Sequence, residues 1–464
     1  MKTEEFRYRT RIEAPAEEVF RWHTRPGALE RLTPPWEPVE VIERTGGINN
    51  GDRVVLRMHL GPVSQTWVAE HRDYVEGRQF RDIQRQGPFA HWEHTHRFEP
   101  DGPSACYLDD RIDYVLPFGA LGSTGGSTFV RRKLERMFRY RHEVTAGDVV
   151  THTRYTTKPL RILLSGASGL VGSVLIPFLT AGGHQVIRLV RGAPRPGGSE
   201  IQWDPVHGVS DLTRLEGMDA VIHLAGENIA AARWTEERKA RIKDSRVRGT
   251  KTLSEALAQL VLPPKVFLSA SAIGYYGDRG DEVLHETSAP GTNFLADVCK
   301  AWEAATESAE KRGIRVVHLR IGLVLSGTGG ALAKMTLPFK FGVGGTIGSG
   351  RQYVSWVSID DLAGIIHHTL MTETLRGAVN AVSPYPVTNS EMTTVLGLVL
   401  QRPTLLPVPA FALRLALGRE MADDLLLSSA RIEPRQLVTT QYLFRHPYLG
   451  DALRHVLGRP KATG

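Results

Sequence analysis

The sequence contains little cysteine and no long apolar run. Only Cys106 and Cys299 occur among its 464 residues, and they lie far apart. Two distant cysteines argue against a disulfide scaffold or a zinc site, and they favour a reducing compartment. No apolar stretch approaches the length of a membrane span, and the first residues lack the apolar centre of a signal peptide. We therefore expect a cytoplasmic protein without a membrane span.

The composition is that of a folded protein with a basic excess. Hydrophobic residues make up 41% of the chain and charged residues 23%, which is typical of globular proteins, and the length indicates two or three domains. The formal net charge of +7 raises nucleic-acid binding as a hypothesis. Because the basic residues are spread along the chain without a supporting motif, we expect anionic cofactors or ligands and no nucleic-acid partner.

A glycine-rich segment between a predicted strand and a predicted helix carries the clearest functional signal. The apolar run that begins at Arg161 leads into Gly166, Gly169 and Gly172, and a helix-like segment covers 170–181. In this context the glycines indicate dinucleotide binding, because they permit a tight turn, close approach of a pyrophosphate and close packing of helix on strand. The free N–H groups at the helix N-terminus would then face the phosphates.

The next predicted strand, 184–190, indicates which dinucleotide is bound. Proteins that bind NAD usually place an acidic residue at the end of this strand to accept the ribose 2′-hydroxyl. Here Arg191 occupies that place, and no acid occurs over 182–199. Because a guanidinium pairs with a 2′-phosphate, we expect NADP(H) to be preferred over NAD(H), with Arg191 as the main contact. Arg195 is interpreted as a solvated surface charge.

The first 155 residues lack a nucleotide-binding motif and combine strand-like runs with two helical segments. In chain order these segments are 6–12, 15–22, 51–58, 65–69, 91–98, 106–115 and 129–142. The pattern resembles the START-like, or SRPBCC, helix-grip family, chiefly through residues 14–20 and 108–117. The resemblance implies an α+β domain over 1–155, with a cavity for an apolar or amphipathic ligand between a curved sheet and the last helix.

Two features of this region have alternative interpretations. The histidines of the segment 91–96 alternate along a predicted strand, which would place them on one face. A metal site is conceivable there, but no carboxylate or cysteine partner has diagnostic spacing. We therefore interpret them as strand histidines and expect no metal.

The closing helix is rich in basic residues. These are Arg131, Arg132, Lys133, Arg136, Arg139 and Arg141. We interpret them as a solvated face opposite Leu134, Met137 and Phe138. A groove for an anionic ligand, or a nucleic-acid surface, is the alternative.

From a polar joint over 156–160 onward, predicted strands and helices alternate as in a doubly wound parallel sheet. Further strands are expected over 220–226, 266–271 and 315–324. Residues 408–427 are predicted to be helical, and 438–444 fit either a strand or a short amphipathic segment.

This order resembles the extended short-chain dehydrogenase/reductase family, and in detail its YfcH-like group of epimerase-family proteins. The segments that match are 165–172, 223–226, 242–250, 269–277, 294–303 and 355–361. The resemblance implies a Rossmann-type α/β domain over 160–400 and a small C-terminal module over 401–464 that packs on the substrate side. The expected cofactor contacts are Gly166, Ser168, Gly169, Leu170, Val171, Gly172, Arg191, Leu224, Ala225, Gly226, Glu227, Arg246, Ser269, Ala270, Lys300 and Ile321.

The catalytic residues that the resemblance implies are incomplete. Ordinary members use a serine together with the tyrosine and lysine of a Y-x-x-x-K motif, and Ser271 and Lys300 are expected to be the serine and the lysine. Ala296 stands where the tyrosine is required. Alanine has no proton to give, so Tyr275 or Tyr276 is expected to supply it, assisted by Lys300. The alternative is that one tyrosine packs in the core and the other simply lies on the loop.

Three acidic residues outside the motifs have expected roles. Glu227 follows the strand that ends near Gly226, from which it could orient a substrate. Asp360 and Asp361 precede an apolar run and are expected to cap or brace a helix.

Two functions are compatible with these features. The first is an NADP(H)-dependent oxidoreductase or epimerase that acts on an unknown small molecule. The second is a non-catalytic NADPH-binding regulatory protein that couples cofactor state to ligand binding in the N-terminal domain. The glycine segment supports both, Ser271 and Lys300 favour the enzyme, and Ala296 favours the regulator.

Overall fold

The computed structural model describes residues 3–37, 39–60, 63–117, 126–155, 158–209 and 211–460. The chain forms two units. One comprises residues 1–157, 177–183 and 457–464, and the other comprises residues 158–176 and 184–456. No helix within the described ranges is both long and apolar enough to cross a bilayer. Residues 156 and 157 of the predicted joint lie outside the described residues.

The first unit is built on a seven-stranded antiparallel sheet in the order β1-β7-β6-β5-β4-β3-β2. The strands are β1 (Glu4–Ile12), β2 (Val39–Thr45), β3 (Arg53–Leu60), β4 (Val63–Val75), β5 (Gln79–Gln86), β6 (His91–Pro100) and β7 (Cys106–Val115). The helices are α1 (Ala16–Thr24), α2 (Ala28–Leu32) and α3 (Gly126–Thr153). The α+β helix-grip class expected from the sequence is confirmed.

The core of this unit forms because apolar residues recur at helical spacing on α3 and at alternate positions on the strands. Leu134 and Phe138 lie one turn apart on α3 and pack against Phe6, Trp92 and Ile112 of the sheet. These side chains pack between the sheet and α3, and the ligand cavity expected there stays a prediction. A cavity lies in this unit beside α1.

That cavity has a volume of about 980 Å³. Phe20, Ile48, Tyr74 and Phe98 supply its apolar lining, and charged residues such as Glu17 and Arg21 share the wall. A mixed lining of this kind suits an amphipathic ligand better than a purely apolar one.

The basic residues of α3 are in part paired within the first unit. Lys133 lies 2.9 Å from Glu37, and Arg131 lies 3.4 Å from Glu135 one turn along the same helix. Such exposed pairs contribute little to stability, and they reduce the positive field of the helix surface. They support a solvated face for these residues, but the prediction is wrong for Arg136 and Arg141: both are half-buried, and each donates to a backbone carbonyl oxygen.

The second unit is built on a seven-stranded parallel sheet in the order β10-β9-β8-β11-β12-β14-β18. The strands of this sheet are β8 (Arg161–Ser165), β9 (Gln185–Val190), β10 (Glu200–Gln202), β11 (Ala220–His223), β12 (Val266–Ala272), β14 (Arg315–Ile321) and β18 (Gly377–Ala381). Six short strands form separate pairs: β13 (Val283–Leu284) with β20 (Arg431–Ile432), β15 (Leu323–Leu325) with β17 (Trp356–Ser358), and β16 (Tyr353–Val354) with β19 (Val387–Thr388).

Helices connect these strands, as a parallel sheet requires. They are α4 (Leu170–Ala181), α5 (Glu236–Ala258), α6 (Phe294–Ala304), α7 (Glu307–Lys311), α8 (Gly330–Lys340), α9 (Ile359–Met371), α10 (Asn389–Leu400), α11 (Ala410–Leu417), α12 (Arg419–Ala422), α13 (Arg435–Thr439) and α14 (Leu449–Leu457). The strand order reverses between β8 and β11, and a ligand crevice is expected at the carboxyl ends of these two strands. The predicted Rossmann-type class is confirmed.

The C-terminal part differs in detail from the sequence prediction. The segment predicted as one helix over 408–427 is broken at Gly418, whose φ of 88° interrupts it between α11 and α12. A π-helical turn, Asp423–Leu427, follows. Residues 438–444 contain the end of α13 and a turn, so the strand alternative for this segment is wrong.

Asp360 and Asp361 brace α9, as expected, but neither is its N-cap. Ser358 caps the helix by accepting from the backbone N–H of Asp361. The Asp361 carboxylate accepts hydrogen bonds from the backbone N–H groups of Arg445 and His446, at 2.7 and 3.0 Å. These bonds attach the C-terminal segment to the helix that follows β17.

The first unit also contains a buried ion pair whose strength can be tested. The Arg31 guanidinium donates to both carboxylate oxygens of Asp148 at 2.7 and 2.8 Å, and both side chains are buried. Asp148→Ala leaves a buried cation without this partner, so we expect a loss of about 3–5 kcal/mol in the free energy of unfolding. Glu99→Ala, which removes the exposed partner of Arg9, should cost less than about 1 kcal/mol. Urea unfolding followed by circular dichroism measures both; equal losses would contradict the assignment.

Candidate functional site

The glycine segment forms a tight turn between β8 and α4. Gly166 has a φ of 79°, and a Cβ there would lie 2.8 Å from the carbonyl carbon of Leu224 at the end of β11. A Cβ at Gly172 would lie 2.4 Å from the carbonyl oxygen of Gly166. Both positions therefore require glycine for the fold itself, because a side chain would collide with main chain.

Gly169 differs from the other two glycines. It is exposed, and a Cβ there would meet only the Gly166 carbonyl oxygen, at 3.3 Å. The neighbouring Ser168 is also exposed, and Leu170 and Val171 open helix α4. Main-chain N–H groups at such a helix start lack intrahelical acceptors and bind phosphate oxygens well. The cradle fits the pyrophosphate of a dinucleotide.

The end of β9 presents a free cation. Arg191 is exposed and makes no ion pair or side-chain hydrogen bond among the residues that the structure describes. Arg188, by contrast, lies 2.6 Å from Glu200, and Glu200 also accepts from the backbone N–H of Arg195 at 2.7 Å. Glu200 is thus neutralised, which leaves Arg191 available for a phosphate.

The other end of the crevice contains a second cation without a carboxylate partner. Leu224, Ala225 and Gly226 follow β11, and the Arg246 guanidinium of α5 packs on Gly226, 3.3 Å from where a Cβ would lie. This guanidinium also lies 5.1 Å from the centre of the Trp302 ring. Burial lowers the pKa of Arg246 below its usual value, and no carboxylate lies within ion-pair distance among the described residues. It suits an anionic or carbonyl oxygen of a ligand.

Ser271 lies at the end of β12, close to the predicted cofactor contacts Ser269, Ala270 and Ile321. Its hydroxyl donates to Glu303 at 2.7 Å. The Glu303 carboxylate in turn accepts two bonds from Arg320, at 2.8 and 2.9 Å. Ser271 is therefore bound into a buried ion pair that the sequence analysis did not anticipate.

The two candidate tyrosines have different environments. Tyr276 is fully buried; its hydroxyl donates to Asn380 at 2.7 Å and accepts from Arg320 at 3.0 Å. Burial raises the pKa of Tyr276 to about 12. Tyr275 is half-buried, its ring centre lies 3.4 Å from the Arg320 guanidinium carbon, and its hydroxyl makes no hydrogen bond among the described residues. Tyr275 is thus the one whose hydroxyl is available to a substrate.

Lys300 does not lie with Ser271. Its side chain is exposed and pairs with Asp297 at 2.7 Å. The residue that α6 turns towards Ser271 is Cys299, which is buried, and burial raises the pKa of its thiol to about 11. Four residues before it stands Leu295, which packs near Gly274. The contacts of Lys300 among the described residues therefore give no support to its expected role beside a tyrosine.

The Glu227 carboxylate is already bound by basic residues of α5. Its carboxylate accepts from the Arg238 guanidinium and lies 3.7 Å from Arg241. Its backbone N–H donates to Ser245 at 3.1 Å. Three residues of α5 thus fix this position, and the carboxylate is already partnered.

A cavity of about 450 Å³ lies in the same unit beside the loop that follows Tyr276. Gly277, Arg279, Asn293 and Asp424 contribute to its wall. Burial raises the pKa of Asp424, and its Oδ2 accepts no hydrogen bond among the described residues. An acid of this kind beside a cavity is a candidate for substrate recognition.

Some of these residues carried a usable signal in the sequence. Arg320 is a cation in the interior of the predicted strand 315–324, four residues from its end. Because a buried arginine requires a carboxylate partner, this cation indicates that an acidic residue lies beside it, and the structure identifies that residue as Glu303. Asp424 stands in no motif, and only the folded chain brings it to the cavity wall.

The histidines of β6 are divided between two environments, contrary to the single face expected. His91 is exposed, whereas His94 and His96 are buried. Carboxylates from adjacent strands face the buried rings: Asp82 of β5 lies 3.2 Å from His94, and Asp110 of β7 lies 2.6 Å from His96. No sequence spacing revealed these partners because they meet through strand pairing.

The strand order and the glycine turn define the second unit as a dinucleotide-binding domain of the short-chain dehydrogenase/reductase type. The NAD dependent epimerase/dehydratase family matches residues 162–381. A domain of unknown function, DUF1731, matches 408–456. The polyketide cyclase/dehydrase and lipid transport family matches 12–142.

Relatives share both the sequence and the structure. An epimerase family protein of Mycobacterium tuberculosis is 42% identical over 299 residues, which is 64% of this chain and 98% of the relative. A Corynebacterium glutamicum crystal structure, described as a nucleoside-diphosphate sugar epimerase, has a TM-score of 0.80 and 33% identity and covers 98% of this chain and 90% of its own. Human epimerase family protein SDR39U1 with NADPH has a TM-score of 0.59 and 33% identity, over 64% of this chain and 99% of its own.

This chain belongs to the epimerase family that includes SDR39U1, here as an atypical short-chain dehydrogenase/reductase fused to a START-like domain. The family resemblance inferred from the sequence is confirmed.

Gly169→Val should abolish NADPH binding while both units remain folded. The valine side chain would enter the space that the pyrophosphate needs. Within the protein, a Cβ at this position meets only the Gly166 carbonyl oxygen, so the substitution should not disrupt folding. Gly126→Val is the matched control, because a Cβ at Gly126 meets only Leu116 at 3.7 Å. NADPH fluorescence titration measures both variants. Unchanged binding by Gly169→Val would show that the turn does not hold the cofactor.

Proposed function

We propose that this protein is an NADP(H)-dependent oxidoreductase or epimerase that acts on a small organic molecule in the cytoplasm. The observation that carries the proposal is the intact glycine turn with Arg191 unpaired at the end of the neighbouring strand. Two buried, unbridged cysteines are consistent with a reducing compartment. A relative in Arabidopsis thaliana is described as chloroplastic, so localisation of this chain needs its own measurement.

The cofactor would be held at three places. The turn from Gly166 to Gly172 would bind the pyrophosphate, and Arg191 would pair with the 2′-phosphate. Leu224 and Gly226, at the end of β11, would line the path towards the nicotinamide. The cofactor supplies hydride transfer when bound. The presence of NADPH in the human SDR39U1 structure supports this assignment for a relative.

The chain's own residues would then manage the proton and the charge of the substrate. Tyr275 offers a hydroxyl with no hydrogen-bond partner among the described residues, and its ring is held in place against the Arg320 guanidinium, 3.4 Å from the ring centre. Arg246 supplies a cation for an anionic or carbonyl oxygen. Ser271 would act indirectly. Its hydroxyl hydrogen is donated to Glu303, so its oxygen could only accept a hydrogen bond from a ligand.

A second candidate function is favoured by a specific observation. Ser271 and Tyr276 are bound into the Arg320 network, and Lys300 pairs with Asp297 in solvent. These residues therefore do not form the acid–base set of an ordinary dehydrogenase. A non-catalytic NADPH-binding protein, which couples cofactor state to a ligand in the first unit, would retain the glycine turn and need none of them.

Arg191→Ala should weaken NADPH binding and leave NADH binding nearly unchanged. Loss of a charge-assisted contact to the 2′-phosphate costs about 1.5–3 kcal/mol, roughly a 10- to 150-fold increase in Kd. Arg195→Ala is the control, because Arg195 contributes its backbone N–H to Glu200 and its side chain is exposed. Calorimetric titration with both cofactors measures the difference. Equal affinities that the substitution does not alter would contradict a preference for NADPH.

Tyr275→Phe should reduce the turnover of a carbonyl substrate by about 10²–10⁴-fold with NADPH affinity intact, because only the proton donor is removed. Tyr276→Phe keeps the ring but leaves Asn380 and Arg320 each one hydrogen bond short. It should therefore lower the unfolding free energy by about 1–3 kcal/mol. NADPH oxidation against a panel of carbonyl compounds, together with thermal unfolding, measures both. A protein that binds NADPH tightly but reduces no member of the panel supports the non-catalytic function instead.

A further inference from the structure

We propose that the first unit contains a binding site for one divalent first-row transition-metal ion, with Asp82, His94 and His96 as ligands. Asp82 lies on β5, and the two histidines lie on the adjacent β6. One potential ligand atom from each residue lies within 4.8 Å of the other two. A small rotation of one ring brings three donors at this spacing onto a common ion.

Asp110, on β7, orients the histidine rings. Its Oδ1 lies 3.0 Å from Nε2 of His94, and its Oδ2 lies 2.7 Å from Nε2 of His142. An ionised carboxylate can only accept hydrogen bonds. Nε2 of His94 therefore carries a proton, and Nδ1 is the ring nitrogen that would face a metal ion. A histidine that donates to a carboxylate with one nitrogen and binds metal with the other is the usual arrangement in metalloproteins.

Nδ1 of His94 faces Asp82. The distance from Nδ1 to Asp82 Oδ2 is 3.2 Å, yet this oxygen accepts no hydrogen bond of good geometry among the described residues. Two tetrahedral ligands with bonds of about 2.0–2.2 Å lie about 3.4 Å apart, which is close to the distance found. A metal ion that displaces a proton from Nδ1 would fit between these two atoms.

His96 repeats the pattern. Its Nδ1 lies 2.6 Å from Asp110 Oδ1 without hydrogen-bond geometry, and Nδ1 of the neighbouring His142 has no hydrogen bond among the described residues. Both rings are almost fully buried. Buried imidazole nitrogens without a partner are costly, and metal coordination at His96 would remove part of that cost.

The surroundings suit a bound ion. The Asp82 side chain is 20% exposed, which leaves an entry path, whereas that of His94 is only 3% exposed. His96 stacks on Phe80 with ring centres 4.2 Å apart. Phe80 in turn packs against Phe98, which lines the cavity beside α1. The site is thus separated from that cavity by one aromatic layer.

The donor set selects the class of metal. Two imidazoles and one carboxylate suit Zn²⁺, Fe²⁺, Co²⁺ or Mn²⁺, whereas Ca²⁺ and Mg²⁺ prefer oxygen ligands throughout. Co²⁺ is the most useful probe because its visible absorption reports the coordination number. The full chain, freed of any histidine tag and stripped with a chelator, is titrated with Co²⁺ and separately with Zn²⁺. We expect one ion per chain and an absorption band typical of four or five ligands.

Three variants test the assignment. Asp82→Asn and His94→Ala should each weaken Zn²⁺ binding by at least 10-fold, and Asp110→Asn should weaken it by about 10- to 100-fold, because it orients a ligand without touching the ion. His91→Ala is the matched control, since it removes an exposed histidine from the same strand. Asp82→Asn is the conservative variant at a partly exposed position, and circular dichroism and NADPH affinity verify that it folds.

The contrary results are equally defined. If the stripped chain takes up no Co²⁺ or Zn²⁺ at micromolar concentrations, a proton on His94 holds the cluster together and the proposal is wrong. It is also wrong if Asp82→Asn and His94→Ala bind the ion as tightly as His91→Ala does.

Discussion

The Glu303–Arg320 ion pair determines what the catalytic side of the second unit can do. Removing two charges from water costs several kcal/mol for each ion unless the pair is well formed and its remaining donors are bound. Here the guanidinium is bound by Glu303, by the Tyr276 hydroxyl and by the Glu286 carbonyl oxygen. The pair also engages two residues that the sequence suggested as catalytic: Ser271 donates to Glu303, and Tyr276 accepts from Arg320.

The cofactor half and the substrate half of the crevice depend on different groups. The cofactor half depends on main-chain contacts between Gly166, Gly172 and the end of β11, and none of these contacts involves the ion pair. The substrate half contains the ion pair, with Tyr275 lying against it and Asp424 in a nearby cavity wall. In the proposed function, backbone geometry would hold the cofactor, whereas any chemistry would depend on a small number of side chains. In the second unit, the enzymatic and the regulatory function make different demands on that second half.

Local patterns in the sequence were sufficient for the cofactor half and for most of the fold. The glycine turn, β8, α4 and β9 are contiguous in the chain, so their spacing carries the information. The strands β2 and β5 were not predicted, because β2 is largely exposed and β5 is polar, so neither shows a clear apolar alternation. The exposure of Lys300 was not predicted because the motif was counted by position, whereas packing against β12 decides that the neighbouring Cys299 is buried.

Partners that meet through strand pairing could not be predicted at all. Asp82, His94 and Asp110 lie on three strands, and their proximity follows from the pairing of β5 and β7 with β6. A search by spacing along the chain therefore found only the histidines. Ser271 and Glu303, which are 32 residues apart, meet through the packing of α6 on β12, and this contact also has no signature in the spacing of the sequence.

The attachment of the C-terminal segment to Asp361 sets an order for events during synthesis. Its two backbone donors, Arg445 and His446, lie 84 and 85 residues further along the chain. At ribosomal rates of 5–20 residues per second, they emerge roughly 4–17 s after Asp361 itself. During that interval the carboxylate can interact only with water and with nearby groups such as Ser358. The hydrogen bonds from residues 445 and 446 to Asp361 therefore form late in synthesis. A ribosome that stalls before residue 445 releases a protein whose dinucleotide turn is complete but which lacks these two donors.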